Sequence, residues 1–150
     1  KDKKRLLHLQ PVTGFRETDR IQGETLITVN DYTSGRLFDD AISYAFYPVD
    51  LHTKTGVRPK PLKPGTVPTI PLSALIPKGS RNIIVAGRCV SSDRLANSGL
   101  RVQASCMGMG QAAGVAAALA AKKDTTPLDV PLAEIHKLLR EHGAIVPSKA

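Results

Sequence analysis

The chain has 150 residues and a formal net charge of +8, with 12 Gly and 11 Pro but only three Phe, three Tyr and no Trp. That length suits one domain with a buried core, and the composition excludes a helical bundle or a dense β-sandwich in favour of a loop-rich α/β or α+β body. The positive charge is scattered, in local excess only at residues 1–5 and 58–63, and no aromatic side chains interleave it, so no nucleic-acid surface is expected.

In chain order, the charged run at residues 1–5 is followed by Leu6, Leu7 and Leu9, too few apolar residues for a secretion signal. The start reads as a cut from something longer and leaves the compartment unknown. Residues 6–10 alternate weakly and predict a strand, closed by Pro11 and Gly14; residues 16–20 are dense in charge. The β-branched run 25–29 predicts a second strand, with Asp31 placed to cap a short turn ending near Gly35. Residues 38–47 have a mixed pattern and lead into Tyr47-Pro48-Val49-Asp50-Leu51-His52. Residues 53–71 hold five prolines and predict a loop of unusual length, fit for a lid or for contact with missing sequence. Residues 70–76 predict a short strand, and Lys78-Gly79 a turn. Residues 82–86 predict another strand, ending in Ala86-Gly87-Arg88. After a Ser- and Asn-rich loop, a helix is expected to begin near Leu100 or Arg101, capped by Asn97 or Ser98. Pro127 and Pro131 break the chain again. Apolar residues at 132, 135, 138 and 139 then predict an amphipathic helix stopped by Gly143.

Residues 102–121 carry no charge, and eight of them are Ala and three Gly. Four readings compete for this segment. A transmembrane helix fits the length and the Gly110–Gly114 spacing, but so much Ala and Gly, with Gln103, Ser105 and Gln111, makes transfer into lipid weakly favourable. Gly108-Met109-Gly110-Gln111-Ala112-Ala113 satisfies the dinucleotide pattern G-x-G-x-x-A, yet too little chain follows Asp129 to complete a βαβαβ unit. A plain core helix needs nothing further. The favoured reading adds a task to that core helix: its positive N-terminal end, with Arg88 and Arg101 converging on it, seats an anion or an electron-rich carbonyl. Gly108, Gly110 and Gly114 are then expected to be packing residues. Cys89 and Cys106 have no metal-site spacing, and His8, His52, His136 and His142 form no metal motif.

At residues 82–121, NIIVAGRCVSSDRLANSGLRVQASCMGMGQAAGVAAALAA, the chain resembles the C-terminal flavin-binding segment of FAD-dependent oxidoreductases of the glutathione-reductase-like superfamily. In particular it is similar to a bacterial group sharing the pattern GR…S…A…S.R…GQAAG.AAA. GFRETDRIQGE, FDDAIS and YPVDLH stand upstream in the order that family shows, so the resemblance covers about residues 6–146. No N-terminal G-x-G-x-x-G unit for the ADP half of FAD is present, so the chain looks like the C-terminal third of a flavoprotein.

The resemblance implies FAD as cofactor and an unknown small-molecule substrate. It implies a mixed α/β (α+β) fold in three parts: a β-rich substrate side at 1–75, a strand and long helix of the FAD domain at 76–125, and a C-terminal helix and tail at 126–150. Gly87 would let the backbone approach the cofactor, with Arg88 near the pyrophosphate or ribityl chain. Ala96 and Ser98 would line the loop beside the isoalloxazine. The backbone N–H groups of Arg101 and Val102 would face the flavin N1/C2 carbonyl. Arg16 would hold an anionic substrate and His52 would transfer a proton. With no partner for its apolar helix, the isolated chain is expected to dimerise, to bind FAD weakly and to be inactive. The rival readings are a non-catalytic interaction domain that docks a partner on the basic Pro-rich loop, and a carbohydrate-active lyase, for which there is no aromatic sugar platform.

Overall fold

Residues 17–53, 55–57 and 59–148 are described by a computed structural model of the chain. Arg16 and the strand expected at residues 6–10 lie outside them. In chain order the elements are α1 (Val29–Ser34), β1 (Ala41–Tyr44), β2 (His52–Thr53), β3 (Gly56–Val57), β4 (Thr69–Pro71) running into a 3-10 turn (Leu72–Leu75), α2 (Arg94–Leu100), α3 (Gln103–Lys123) and α4 (Leu132–Glu141). This is the mixed α/β class the sequence suggests.

The strand expected at 25–29 does not form. Thr28 Oγ1 accepts the Asp31 N–H at 3.2 Å, and Asp31 Oδ2 accepts the Thr28 N–H at 3.0 Å. This reciprocal pair is a capping box. It starts α1 at Val29, so Asp31 is the third helical residue rather than the cap, and local side-chain bonds overcome the β preference of the run. Gly35, at φ 71, ends the helix in the left-handed conformation that glycine adopts without strain. Ile27 keeps one parallel bridge to Ser92, and Gly23 one antiparallel bridge to Pro77.

β1 and β4 pair antiparallel, Ser43 opposite Ile70 and Tyr44 opposite Thr69, with a register shift between Ala41 and Ser43. The segment expected to be one loop contains the small β2–β3 hairpin, His52 opposite Val57. Of the strand expected at 70–76 only its start is β4; the rest winds into the 3-10 turn. Residues 82–86 form no strand, because Val85 alone donates a ladder-like bond, to Leu75 O at 2.8 Å, and Ile83 stays exposed.

α3 lies across β1 and α4 and buries Ser105, Met109, Ala112, Ala113, Ala116 and Ala120. By length and composition alone it could cross a membrane, and about a third of its apolar window is buried inside the domain, along this face. Small side chains allow that close approach. A Cβ on Gly108 would fall 2.4 Å from Ser43 Oγ. Gly110 and Gly114 are different: no atom lies within 4 Å of a Cβ built on either, so they sit on the exposed face and are not packing residues. α4 forms as its periodicity predicts, with Ile135 and Leu139 buried and Gly143 at φ 76 just beyond its end. One cluster joins Ile27, Tyr32, Ile42, Ile70, Leu75, Leu100, Met109, Ile135 and Leu139, so the core draws on all three stretches of the chain.

Candidate functional site

The junction of α2 and α3 gathers most of the residues singled out above. One helix start is expected here from the sequence; the structure has two. Asp93 caps α2, accepting the Ala96 N–H on Oδ1 at 2.8 Å, and its other oxygen accepts the Val29 N–H of α1. Asn97 and Ser98 therefore lie inside α2 and cap nothing. Arg101 closes α2 by donating its N–H to Asn97 O at 2.9 Å. That amide is already used, so it is not available to a ligand as expected. Val102 is extended (φ −75, ψ 156) and provides no side-chain cap for α3. The first-turn amides of a 21-residue helix, with the positive end of its dipole, are left to an outside partner.

Gly87 and Arg88 lie beside this helix start. Asn97, almost fully buried, donates from Nδ2 to Arg88 O and to Ser92 Oγ, both at 3.1 Å, which ties the Gly87 turn to α2. Gly87 has φ 100 and open space where a side chain would be, so a ligand can approach the bare backbone there. Burial pushes the Cys106 thiol up, and the Arg88 guanidinium opposes that shift. Arg88 is thus within electrostatic reach of the first turn of α3. Cys89 acts on the same thiol, which brings the two cysteines near one another.

The Pro48–His52 arm is pinned to the same junction. Asp50 N–H donates to Ser98 Oγ at 3.1 Å, Ser98 Oγ donates to Leu95 O at 2.6 Å, and Arg101 Nη2 donates to Asp50 O at 3.1 Å. Asp50 Oδ2 lies 3.4 Å from His52 Nε2. Ser98, nearly buried, therefore holds this arm and does not present a surface to a cofactor. Ala96 is fully buried in the core and lines no open surface. Arg16 falls outside the described residues. Asp50, part of the YPVDLH motif but not singled out within it, is brought to this junction by its bonds to Ser98 and Arg101. Among the described residues, no three His, Cys, Asp or Glu side chains could together hold a metal ion.

The donor set can be matched to a chemistry. An uncapped helix start, an open left-handed glycine and an arginine suit a planar, electron-rich ring system that carries anionic groups. That is the class of a flavin-linked redox protein. The family model for FAD dependent oxidoreductases matches residues 2–139, and the chain belongs to that family. Its cofactor is FAD. No curated protein and no solved structure matches the chain.

Proposed function

We propose that this chain forms the ring side of an FAD site in an oxidoreductase acting on a small-molecule substrate. When bound, FAD supplies the group that exchanges a hydride equivalent with that substrate. The chain's own residues have separate tasks. The first-turn amides of α3, beginning after Val102, hold the electron-rich carbonyl edge of the ring, and their fixed dipoles stabilise negative charge developing there. Gly87 lets the backbone come close, and Arg88 supplies positive charge toward the ribityl or pyrophosphate portion. His52 moves a proton to or from the substrate. Arg16 holds an anionic substrate group.

The observation that carries this reading is the uncapped start of α3, with the Arg88 guanidinium within electrostatic reach of its first turn. The test is spectroscopic: the natural protein, purified, should show flavin absorbance. Protein that carries no flavin and takes none up would overturn the assignment. The single G-x-G-x-x-A of the chain lies within α3, where no free amides are available for a pyrophosphate. The 150-residue chain alone is therefore proposed to hold FAD weakly and to be inactive. Sub-micromolar binding in a titration would refute that. Its exposed α3 face, with Met107 72% exposed beside Gly110 and Gly114, is proposed to pair two copies of the isolated chain. A clean monomer in concentrated sedimentation runs would rule this out.

One feature favours a second reading, a non-catalytic docking domain. Phe46, 74% exposed, lines a cavity of about 210 Å³ with Tyr47, Pro48, Leu62 and Pro64 of the basic loop. Partner binding that survives deletion of residues 58–63 would end that reading.

A further inference from the structure

A cavity of about 410 Å³ lies between α1 and the basic loop, lined by Asn30, Thr33 and Ser34 on one side and by residues 60–63 on the other. None of these residues belongs to the α2–α3 junction, and none is acidic. The two lysines of the loop start from fixed backbone positions. Lys60 exchanges both of its backbone bonds with Val49, at 2.9 and 3.0 Å, and Lys63 O accepts the Thr66 N–H at 3.0 Å. Neither ammonium pairs with a carboxylate among the described residues. The one carboxylate of α1, Asp31, is engaged by Thr28 and Arg36. On the α1 side, Thr33 Oγ1 donates to Val29 O at 2.8 Å and Ser34 Oγ donates to Asp31 O at 3.1 Å. A hydroxyl has a single hydrogen, so toward a ligand both oxygens can only accept.

We propose that this cavity binds a phosphorylated sugar or polyol. A cleft lined by one sign of charge focuses its field on a ligand of the other sign. Two lysines on one wall repel each other until an anion lies between them, and a phosphate dianion matches both. Its oxygens take charge-assisted hydrogen bonds from Lys60 and Lys63 Nζ. The α1 side asks for the opposite partner: its hydroxyl oxygens accept, so they suit groups that donate, as the hydroxyls of a polyol do. Asn30, whose amide both donates and accepts, can meet a further hydroxyl. A bare anion satisfies only the loop wall and a neutral sugar only the α1 wall. The volume falls in the range of small-molecule sites, about 300–1,000 Å³. The inference does not depend on the FAD reading, because the cavity shares no residue with the proposed flavin site.

The test is calorimetric titration of the full chain with glucose 6-phosphate, glucose and inorganic phosphate. Glucose 6-phosphate should bind with a Kd below about 1 mM and more tightly than either of the others. Lys60→Ala and Lys63→Ala should each weaken it at least about 5-fold. Lys122→Ala, which removes an exposed charge at the end of α3, should leave it unchanged. Thr33→Val keeps the shape and removes the accepting oxygen, so it should weaken glucose 6-phosphate and spare inorganic phosphate. Absence of binding overturns the inference. So does an equal loss in Lys122→Ala, which would trace the affinity to the net charge of the chain, or a Kd that the Lys60 and Lys63 variants do not move. Inorganic phosphate bound as tightly as glucose 6-phosphate, or an unchanged Kd in Thr33→Val, overturns the polyol part.

Discussion

Replacing Gly99 by Ala tests how tightly α2 packs on α1. Gly99 lies near the end of α2, directly against the ring of Tyr32. A Cβ there would fall 2.5 Å from the Tyr32 hydroxyl oxygen, 2.6 Å from Cζ and 2.7 Å from Cε1. Non-bonded carbon contacts settle at about 3.5–4.0 Å, so ring and helix must separate by roughly an ångström. Tyr32 has little freedom to give way: it is fully buried, and its hydroxyl donates to Tyr47 O at 2.8 Å. Overpacking of this kind costs about 1–3 kcal/mol. Losing the Tyr32–Tyr47 bond adds about 1 kcal/mol, while alanine's higher helix propensity returns about 1 kcal/mol. The expected net is a destabilisation of about 1–3 kcal/mol.

Gly110→Ala and Gly114→Ala are the controls. Both sit within α3 with no atom within 4 Å of the added methyl, so only propensity acts and each should stabilise by about 0.5–1 kcal/mol. Urea unfolding followed by far-UV circular dichroism, at low protein concentration and with unchanged slope, reads all three midpoints. A Gly99→Ala midpoint at or above wild type, or a Gly110→Ala midpoint below it, would refute the assignment of tight and open faces.

Three further perturbations probe the caps and the buried ionisable groups. Burial pushes Tyr32 up to about 12 from its ordinary 10.0, so the folded state prefers the neutral phenol. Its contribution is complete below the unfolded value and is lost as pH rises through the folded one, about 2–3 kcal/mol in all; Tyr32→Phe should flatten this alkaline limb in pH-dependent denaturation. Burial works against ionised Asp31, but bonds from Arg36 and Thr28 prevail and hold its carboxyl below the ordinary 3.8. Asp31→Ala should therefore cost about 1 kcal/mol at neutral pH, a difference that shrinks as acid protonates the wild-type carboxyl, and a gap independent of pH would contradict the capping role. Val102→Asp should cap α3 and stabilise the fold by about 1 kcal/mol while weakening FAD uptake by the natural protein, because it fills the helix start with negative charge; equal uptake would count against that site.

What could be read from the sequence was local. The period of residues 132–142 is sufficient to place α4, since its apolar residues need only one face to pack against. The absence of charge over residues 102–121 marks α3, and the ordered motifs around Gly87, Ser98 and Gln111 point to the family that the comparison establishes. The failures are non-local or depend on facing. Asp93 starts α2 and also bonds Val29, 64 residues earlier, a pairing no window of sequence contains. Thr28 and Asp31 end the β-branched run and start a helix at Val29 through bonds that compete with strand propensity. Gly108 and Gly110 look alike in the sequence, yet a two-residue step turns one toward Ser43 and the other to open space. Asp50 lies within the YPVDLH motif, but only its contacts with His52, Ser98 and Arg101 single it out there.

The break between α2 and α3 is the feature that links fold to chemistry. A continuous helix from Arg94 to Lys123 would satisfy the first-turn amides of α3 internally and give up no cap. Instead Arg101 bonds back to Asn97 and Val102 turns extended, so a second N-terminus opens in the middle of the domain. Leaving it uncapped costs roughly 1 kcal/mol compared with a Ser, Thr or Asp at Val102. What the break brings is placement. Asn97 and Ser98, inside α2, hold the Gly87–Arg88 turn and the Asp50–His52 arm, so two upstream segments are tied to the helix that ends at the new start. Unsatisfied donors, an open backbone and a carboxylate–imidazole pair then share one junction. An uncapped helix start and a left-handed backbone each cost stability, and under the proposed function a bound, electron-rich ring is the partner that makes use of both.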